Sequence, residues 1–443
     1  MTKFLKSTTA LALAASFVAG SAIDDAPKVV VHGDVTAAYA VVKQDKLYRN
    51  IDDEGANLDA KTSHHAQTSK MYTDAKLGVS ASGDSDSGLK YKAEVKFDLW
   101  HNVDSITDFD KEQEGQDTNS GYQGSSVRLH HASVMLDTGM GRVDLGGVKS
   151  AAKALKVTAP SAKHADVFKF VYYDTGYTYA DVDGQLAGTV AEPMRYLLSS
   201  ELPGDQFELQ AYSNKVAFFT PVFNGLQAGL SFTPNTNNHG SLAGFSSKYN
   251  SSVNQVVGLN NAVSAVVKYE HMLADDTMLM ASLSGVSAQG KKAVTTDETN
   301  TFKKANAYEL GLAAKMDEFT LGATYGNWGK SLNLKQLAVE TGNNPAINSR
   351  NKSNTRYYTV GAMYQNGPVA VSADFFASKM QGNKARAYTL AGEYSLAEGL
   401  ALFADLSMFK LTPKTGTDAS FQLKSGDNVD AASGVAQKND GTV

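Results

Sequence analysis

The 443-residue chain has no cysteine, so it has neither a disulfide framework nor a thiolate for metal binding or nucleophilic attack. Proline is scarce, at nine residues, and long strands can run uninterrupted. Past the N-terminus the chain lacks the run of about 20 apolar residues that a membrane-crossing helix needs. Positive charge is not in excess: 41 Lys and Arg stand against 46 Asp and Glu, a net charge of −5 that argues against nucleic-acid binding. Catalytic signatures are missing as well, with no Gly-x-Ser-x-Gly elbow and no His-Glu-x-x-His. Gly329-Lys330-Ser331 has the ending of a phosphate loop, but Thr324 stands where its first glycine belongs, so it reads as a plain loop. His64-His65 falls in a polar loop and binds metal weakly at best. His130-His131 falls on a strand, where neighbours point to opposite faces, so the pair is not expected to share a metal. The expectation is a protein that is not an enzyme, with no cofactor and no resident metal.

The chain is rich in Gly (38), Tyr (20) and Phe (19), which suits many strands joined by tight turns. A mean hydropathy of −0.28 resembles that of a soluble protein. A membrane β-barrel has the same composition, because half of each strand faces water. Residues 1–22 read as a secretory signal peptide: Lys3 and Lys6 supply the charged start, Leu11 to Gly20 the short apolar run, and Gly20-Ser21-Ala22 the small residues for cleavage. Asp24 and Asp25 cut the apolar run short of an anchor helix. Residues 23–443 are expected to form one domain, and export without cysteine fits a bacterial envelope.

Leu89 to Leu99 is the clearest strand. Leu89, Tyr91, Ala93, Val95, Phe97 and Leu99 alternate with Lys90, Lys92, Glu94, Lys96 and Asp98, so apolar and charged sets occupy opposite faces. Strands are expected at 29–42, 72–82, 88–99, 127–137, 142–149, 214–220, 226–233, 262–273, 277–288, 305–316, 319–328, 355–365, 368–378, 385–395 and 400–410. Most have the roughly 9–11 residues that cross a bilayer at a tilt. Short turns, such as 138–141, 221–225 and 365–367, alternate with long polar connections around 43–71, 100–126, 150–213, 234–261, 289–304 and 329–354. This is the layout of an all-β, transmembrane, antiparallel up-and-down β-barrel. Thr277 to Ala288 alternates poorly, and 385–395 carries Arg386 and Tyr388 in one register with Glu393 in the other.

Asn214 to Asn235, NKVAFFTPVFNGLQAGLSFTPN, resembles the strand–turn–strand signature of the general diffusion porins of Gram-negative proteobacteria. Ser126 to Gly147 resembles the hairpin before that family's long third loop, Gly33 fits its opening strand, and Tyr388 to Phe409 fits its penultimate hairpin. The resemblance implies about 16 strands, of which 15 are readable here. It also implies external long loops, a third loop over about 150–213 folded into the barrel, and a homotrimer. A final strand ending in an aromatic residue is not found at Asn439 to Val443, and Ser420 to Leu423 is the alternative closing segment. A chain truncated before its closing strand is the expectation.

On the pore reading, Lys76, Lys90, Lys92, Glu94, Lys96, Asp98 and Arg128 line the lumen. The bland alternative is a solvated sheet face. Lys163, Asp166, Asp174, Asp181 and Asp183 are the candidates on the third loop, where the resemblance places acids across from basic wall residues. The excess of wall lysine suggests a weak anion preference. Tyr72, Tyr172, Tyr173, Phe218, Phe219, Tyr357, Tyr358, Phe375 and Phe376 are candidates for aromatic girdles at the edges of the outer-membrane lipid. The expected function is passive diffusion of small hydrophilic solutes and ions. The alternatives are a barrel selective for sugar or phosphate and a secreted β-rich adhesin without a pore.

Overall fold

The structure, a computed structural model, describes residues 27–41, 43–44, 69–101, 125–163, 201–205, 211–236, 259–274, 277–290, 293–294, 299–331, 334–336, 354–380, 383–412 and 439–442. The leader over 1–22, His64-His65, Asp166, Asp174, Asp181, Asp183, Tyr172-Tyr173 and residues 420–423 lie outside them.

In chain order the elements are β1 (Lys28–Val41), β2 (Lys43–Gln44), β3 (Ser69–Asp84), β4 (Lys90–His101), β5 (Ser125–Thr138), β6 (Gly141–Gly147), α1 (Ala151–Leu155), β7 (Asn214–Phe219), β8 (Leu226–Asn235), β9 (Leu259–Ala274), β10 (Thr277–Gly290), β11 (Ala293–Val294), β12 (Thr299–Phe302), β13 (Ala305–Met316), β14 (Phe319–Gly329), β15 (Leu334–Gln336), β16 (Thr355–Asn366), β17 (Val369–Met380), β18 (Asn383–Ala397), β19 (Leu400–Thr412) and β20 (Asn439–Thr442). All fifteen strands expected from the alternation are present, within a few residues at each end. β11, β12 and β15 form a small separate sheet. The other long strands pair antiparallel with their neighbours in sequence, from β1–β3 through to β18–β19.

The sheet is apolar on its outer face and polar on its inner one. Leu283 is 58 % exposed, Leu312 50 % and Leu390 56 %, while Ser282, Ser284, Thr324, Ser372 and Thr389 in the opposite register are buried. Two sheets stacked over a dry core would bury the leucines instead. The poor alternation of β10 has a simple cause. Its inward positions hold Ser282, Ser284 and Val286, which a loop covers, so no charge is needed there. In β18, Arg386 stands outward at the strand's end, in register with Tyr388 and Leu390.

Tight turns hold the hairpins. Gly225 has φ +81°, and a Cβ there would sit 2.0 Å from the Glu270 carbonyl oxygen, so only glycine fits this turn. β20 lies between β19 and the start of the chain. It pairs with Met408 to Leu411 on one side and with Lys43 and Gln44 on the other. Among the described residues no ladder joins β1 to β19, so the sheet meets itself at that end alone and is not closed along its length.

One local expectation fails. The β4–β5 register shifts between Lys96 and Phe97, which face His131 and Leu129, leaving His130 as the extra residue of a bulge. The bulge turns both histidines to one side. Their Nδ1 atoms lie 2.6 Å apart, and both rings pack on Tyr212 at 4.6 and 4.7 Å.

Candidate functional site

Residues 150–163 run across the inner face of the sheet. Ser150 caps α1 by accepting from the Lys153 N–H, and after one turn the chain continues extended. Its backbone donors are taken up by hydroxyls on the wall. Ala151 N–H donates to Ser231 Oγ and Ala152 N–H to Ser264 Oγ, each at 3.0 Å. Val157 N–H donates to Ser282 Oγ, Ala159 N–H to Thr324 Oγ1 and Ala162 N–H to Ser372 Oγ. Ser161 Oγ donates to Asp374 at 2.8 Å. A segment without sheet or helix partners would otherwise bury unpaired N–H groups at a cost of about 1–3 kcal/mol each. Glycines let the strap approach the wall: a Cβ on Gly311 would sit 1.8 Å from the Val157 carbonyl oxygen, and one on Gly361 2.4 Å from that of Pro160. The strap thus crosses β8, β9, β10, β13, β14, β16 and β17 in order.

An ionic centre fixes its start. Lys153 and Lys156 both reach Glu201, at 2.5 and 3.1 Å, and Lys153 also donates to the Asp205 carbonyl. Ser150 Oγ donates to the Asp205 carboxylate, and Trp328 Nε1 donates to the Glu201 carbonyl at 3.0 Å. Tyr357 donates its hydroxyl to Glu309 on the wall beside this centre. Lys215 gathers the loop's two ends, donating to the carbonyls of Val148, Ala211 and Ser213 at 2.6–2.8 Å. Burial works to raise the Glu201 pKa, but Lys156 and Lys153 overcome it and hold the carboxyl below its ordinary value. Burial works against the Lys156 charge, and the carboxylates of Glu201 and Glu309 overcome that, so its pKa is raised. Asp205 is raised, because burial outweighs the Ser150 hydrogen bond and Lys153.

β1, β3, β4 and β5, which the strap does not cross, carry the charged inner wall. Lys92 pairs with Glu94 at 2.5 Å, Lys96 with Asp34 at 3.1 Å, and Lys76 with Asp74 at 3.7 Å. Glu94 also faces His131 and His32, at 3.6 and 3.8 Å. Arg128 stands opposite Asp98 in the ladder, and Lys90 opposite both Asp84 and Asp137. The structure therefore brings Lys76, Lys92, Glu94 and Lys96 together on one face, interleaved with acids the sequence reading did not single out. On the strap, Lys163 lies 3.8 Å from Asp374 of the wall. The loop acids expected to face the wall, Asp166, Asp174, Asp181 and Asp183, lie outside the described residues.

The aromatic candidates divide between the two faces. Phe218 and Tyr358 point outward, as does Phe375, whereas Phe219, Tyr357 and Phe376 are buried inward. Adjacent residues on a strand cannot both join a girdle. The hydroxyl ladder, the wall glycines, Glu309 and Lys215 were not anticipated. Their trace in the sequence is small or hydroxylated residues at the inward positions of successive strands, where β4 has charges instead. Among the described residues no group of three or more His, Asp or Glu side chains is gathered for a metal, and no helix is long and apolar enough to cross a membrane.

Comparison with known proteins matches residues 7–414 to the Gram-negative porin family. An uncharacterized protein of Rickettsia typhi is 30% identical over 353 residues, covering 67% of this chain and 72% of that one. One from Rickettsia bellii is 27% identical over 323 residues, covering 66% and 72%. Among solved structures, an anion-selective porin from Comamonas acidovorans is 16% identical with a TM-score of 0.45, covering 93% of this chain and 97% of that one. A mutant of Rh. blastica porin is 12% identical with a TM-score of 0.45, covering 94% and 98%. With a family match over nearly its whole length, the chain belongs to the Gram-negative porins.

Proposed function

We propose that the chain is exported by its N-terminal segment to the outer membrane, and that it forms there a water-filled channel for passive diffusion of small hydrophilic solutes and ions. The supporting observation is the strap. A loop bonded along one inner wall, with charged side chains on the strands it leaves uncovered, suits a passage that admits polar solutes and disfavours apolar ones. In this reading Lys76, Lys90, Lys92, Glu94, Lys96, Asp98 and Arg128 line the passage, and the strap with Lys163 narrows it. Asp166, Asp174, Asp181 and Asp183 belong to the same loop. A homotrimer is the assembly that the family resemblance implies.

Local pairing favours a general channel over a selective one. Lys76, Lys92 and Lys96 are matched by Asp74, Glu94 and Asp34, so these three form no cationic ladder for phosphate. The inward aromatics Phe219, Tyr357 and Phe376 are buried and offer no sugar slide. The same pairing reduces the anion preference expected from lysine excess. Planar-bilayer recording of the refolded full chain, with reversal potentials in a salt gradient, tests the reading. Discrete conductance steps with weak ion preference are expected; a membrane-inserted protein with no steps would overturn it.

A further inference from the structure

The bulge in β5 puts two imidazoles where a regular strand would put one. His130 and His131 are both buried, and their Nδ1 atoms lie 2.6 Å apart. That distance is a hydrogen bond, so one Nδ1 carries a hydrogen and the other offers its lone pair. Tyr212 closes over both rings, stacked on His131 at an interplanar angle of 9° and edge-on to His130 at 62°.

Tyr212 belongs to the limb that returns the long loop to the wall at β7. Lys215 fastens the backbone of this limb through the Ala211 and Ser213 carbonyls. The histidine pair seats its side chain. The packing leaves no slack: a Cβ on Gly147 would sit 2.8 Å from the His131 Cβ and 3.0 Å from the Tyr212 carbonyl oxygen.

Charged groups surround the pair. On β4, Glu94 lies 3.6 Å from His131 Nε2, and Lys96 stands opposite His131 in the ladder but is paired with Asp34 of β1. Lys92 and His32 of β1 share the Glu94 carboxylate. On β3, Lys76 is paired with Asp74. Arg128, two residues before the pair on β5, stands opposite Asp98, and Lys149 beyond Gly147 is exposed.

We propose that the His130–His131 pair is an acid-operated latch on the returning limb of the loop. Two imidazoles keep their mutual bond while the pair carries no more than one positive charge, because one Nδ1 then remains bare. A second charge leaves a hydrogen on each Nδ1. Two N–H groups do not fit at 2.6 Å, and the like charges repel. The rings part, Tyr212 loses its seat, and the limb leaves the wall for the passage. Histidine side chains change charge between about pH 5 and 8. In that range the Lys156–Glu201 pair still holds the start of the strap. The effect on conduction rests on the channel reading above, whereas the latch itself does not.

The test exploits the absence of cysteine, since A211C places a single thiol at a fully buried position of the limb. Its modification by a methanethiosulfonate reagent is followed from pH 8 to pH 5 in the refolded full chain in bilayers, with and without H130N. The asparagine amide bonds His131 in either protonation state and does not titrate, so it keeps the latch shut. The ratio of the two rates at each pH cancels the titration of the thiol. The ratio should rise on the order of tenfold toward pH 5, no more steeply than about tenfold per pH unit for one proton. E94Q, added to A211C, removes the carboxylate beside His131 and should move the rise to lower pH. Nitrogen-15 spectra of the histidines in the wild type should show the two Nδ1 atoms sharing a hydrogen at pH 8 and each carrying its own at pH 5. A flat ratio, a rise that E94Q leaves in place, or Nδ1 atoms that share no hydrogen at pH 8 would each overturn the proposal. Channel recording on the same preparation separates the two claims. Conductance steps with a flat ratio sink the latch alone, whereas acid-dependent modification without steps upholds the latch and sinks the channel.

Discussion

The Val157 N–H donates to Ser282 Oγ at 2.8 Å, joining residues 125 positions apart in the chain. This bond holds the strap at its midpoint, where the Val157 carbonyl fills the space left by the missing side chain of Gly311. Gly311→Val should push the strap off the wall. Overpacking of this kind costs about 1–3 kcal/mol. Single-channel conductance should fall relative to the wild type as the strap moves into the passage. An unchanged conductance in a folded variant would mean that the strap does not border the conducting path.

The ionic centre gives the strap a pH dependence. Glu201 has a lowered pKa, so its contribution is complete above the ordinary value of 4.5 and is lost as pH falls through the lower folded value. Lys156 has a raised pKa, so its contribution is complete below 10.5 and lost at more alkaline pH. Asp205, raised by burial, acts with the opposite sign to Glu201: it favours the fold below 3.8 and costs stability as it ionises. The Lys156–Glu201 pair should therefore hold the strap across the neutral range and release it in acid below 4.5. Conductance noise of the wild type should rise in acid, and Glu201→Gln should show the same rise at neutral pH.

Lys215 joins both ends of the loop through three carbonyls. Lys215→Met removes the donor and leaves those oxygens short of a partner, at a cost of about 1–3 kcal/mol. Faster proteolysis of the region 148–213 in the inserted protein is the expected result. Cleavage at the wild-type rate would show that Lys215 does not fasten the loop.

The two faces of the sheet should respond differently to charge. Leu312→Arg, on the outer face, should cost about 2–4 kcal/mol of folding stability in bilayers, because guanidinium would enter hydrocarbon. Lys92→Glu, on the inner wall, should assemble normally and shift the reversal potential toward cation preference. Urea unfolding in bilayers and a salt-gradient recording measure the two effects.

The strands were legible because hydrocarbon outside and water inside impose period two on each strand separately. Leu89 to Leu99 shows it without reference to any other segment. β10 was less clear, since the small hydroxyl at Ser282 answers to a strap more than a hundred residues earlier in the chain, and that of Ser284 to the Glu309 carbonyl of the neighbouring strand. His130 was misjudged because a bulge is a property of two paired strands, and the β5 sequence alone does not reveal the shift against β4.

Local alternation by itself determined the strand positions, the turns and the family signature in Asn214 to Asn235, since each depends on residues a few positions apart. Tertiary structure alone decided which lysines have acidic partners, where the strap crosses the wall, and how His130 and His131 come to lie on one side. Those contacts depend on register between strands and on the path of a loop through the interior, and both emerge only once the sheet has curled around its own contents.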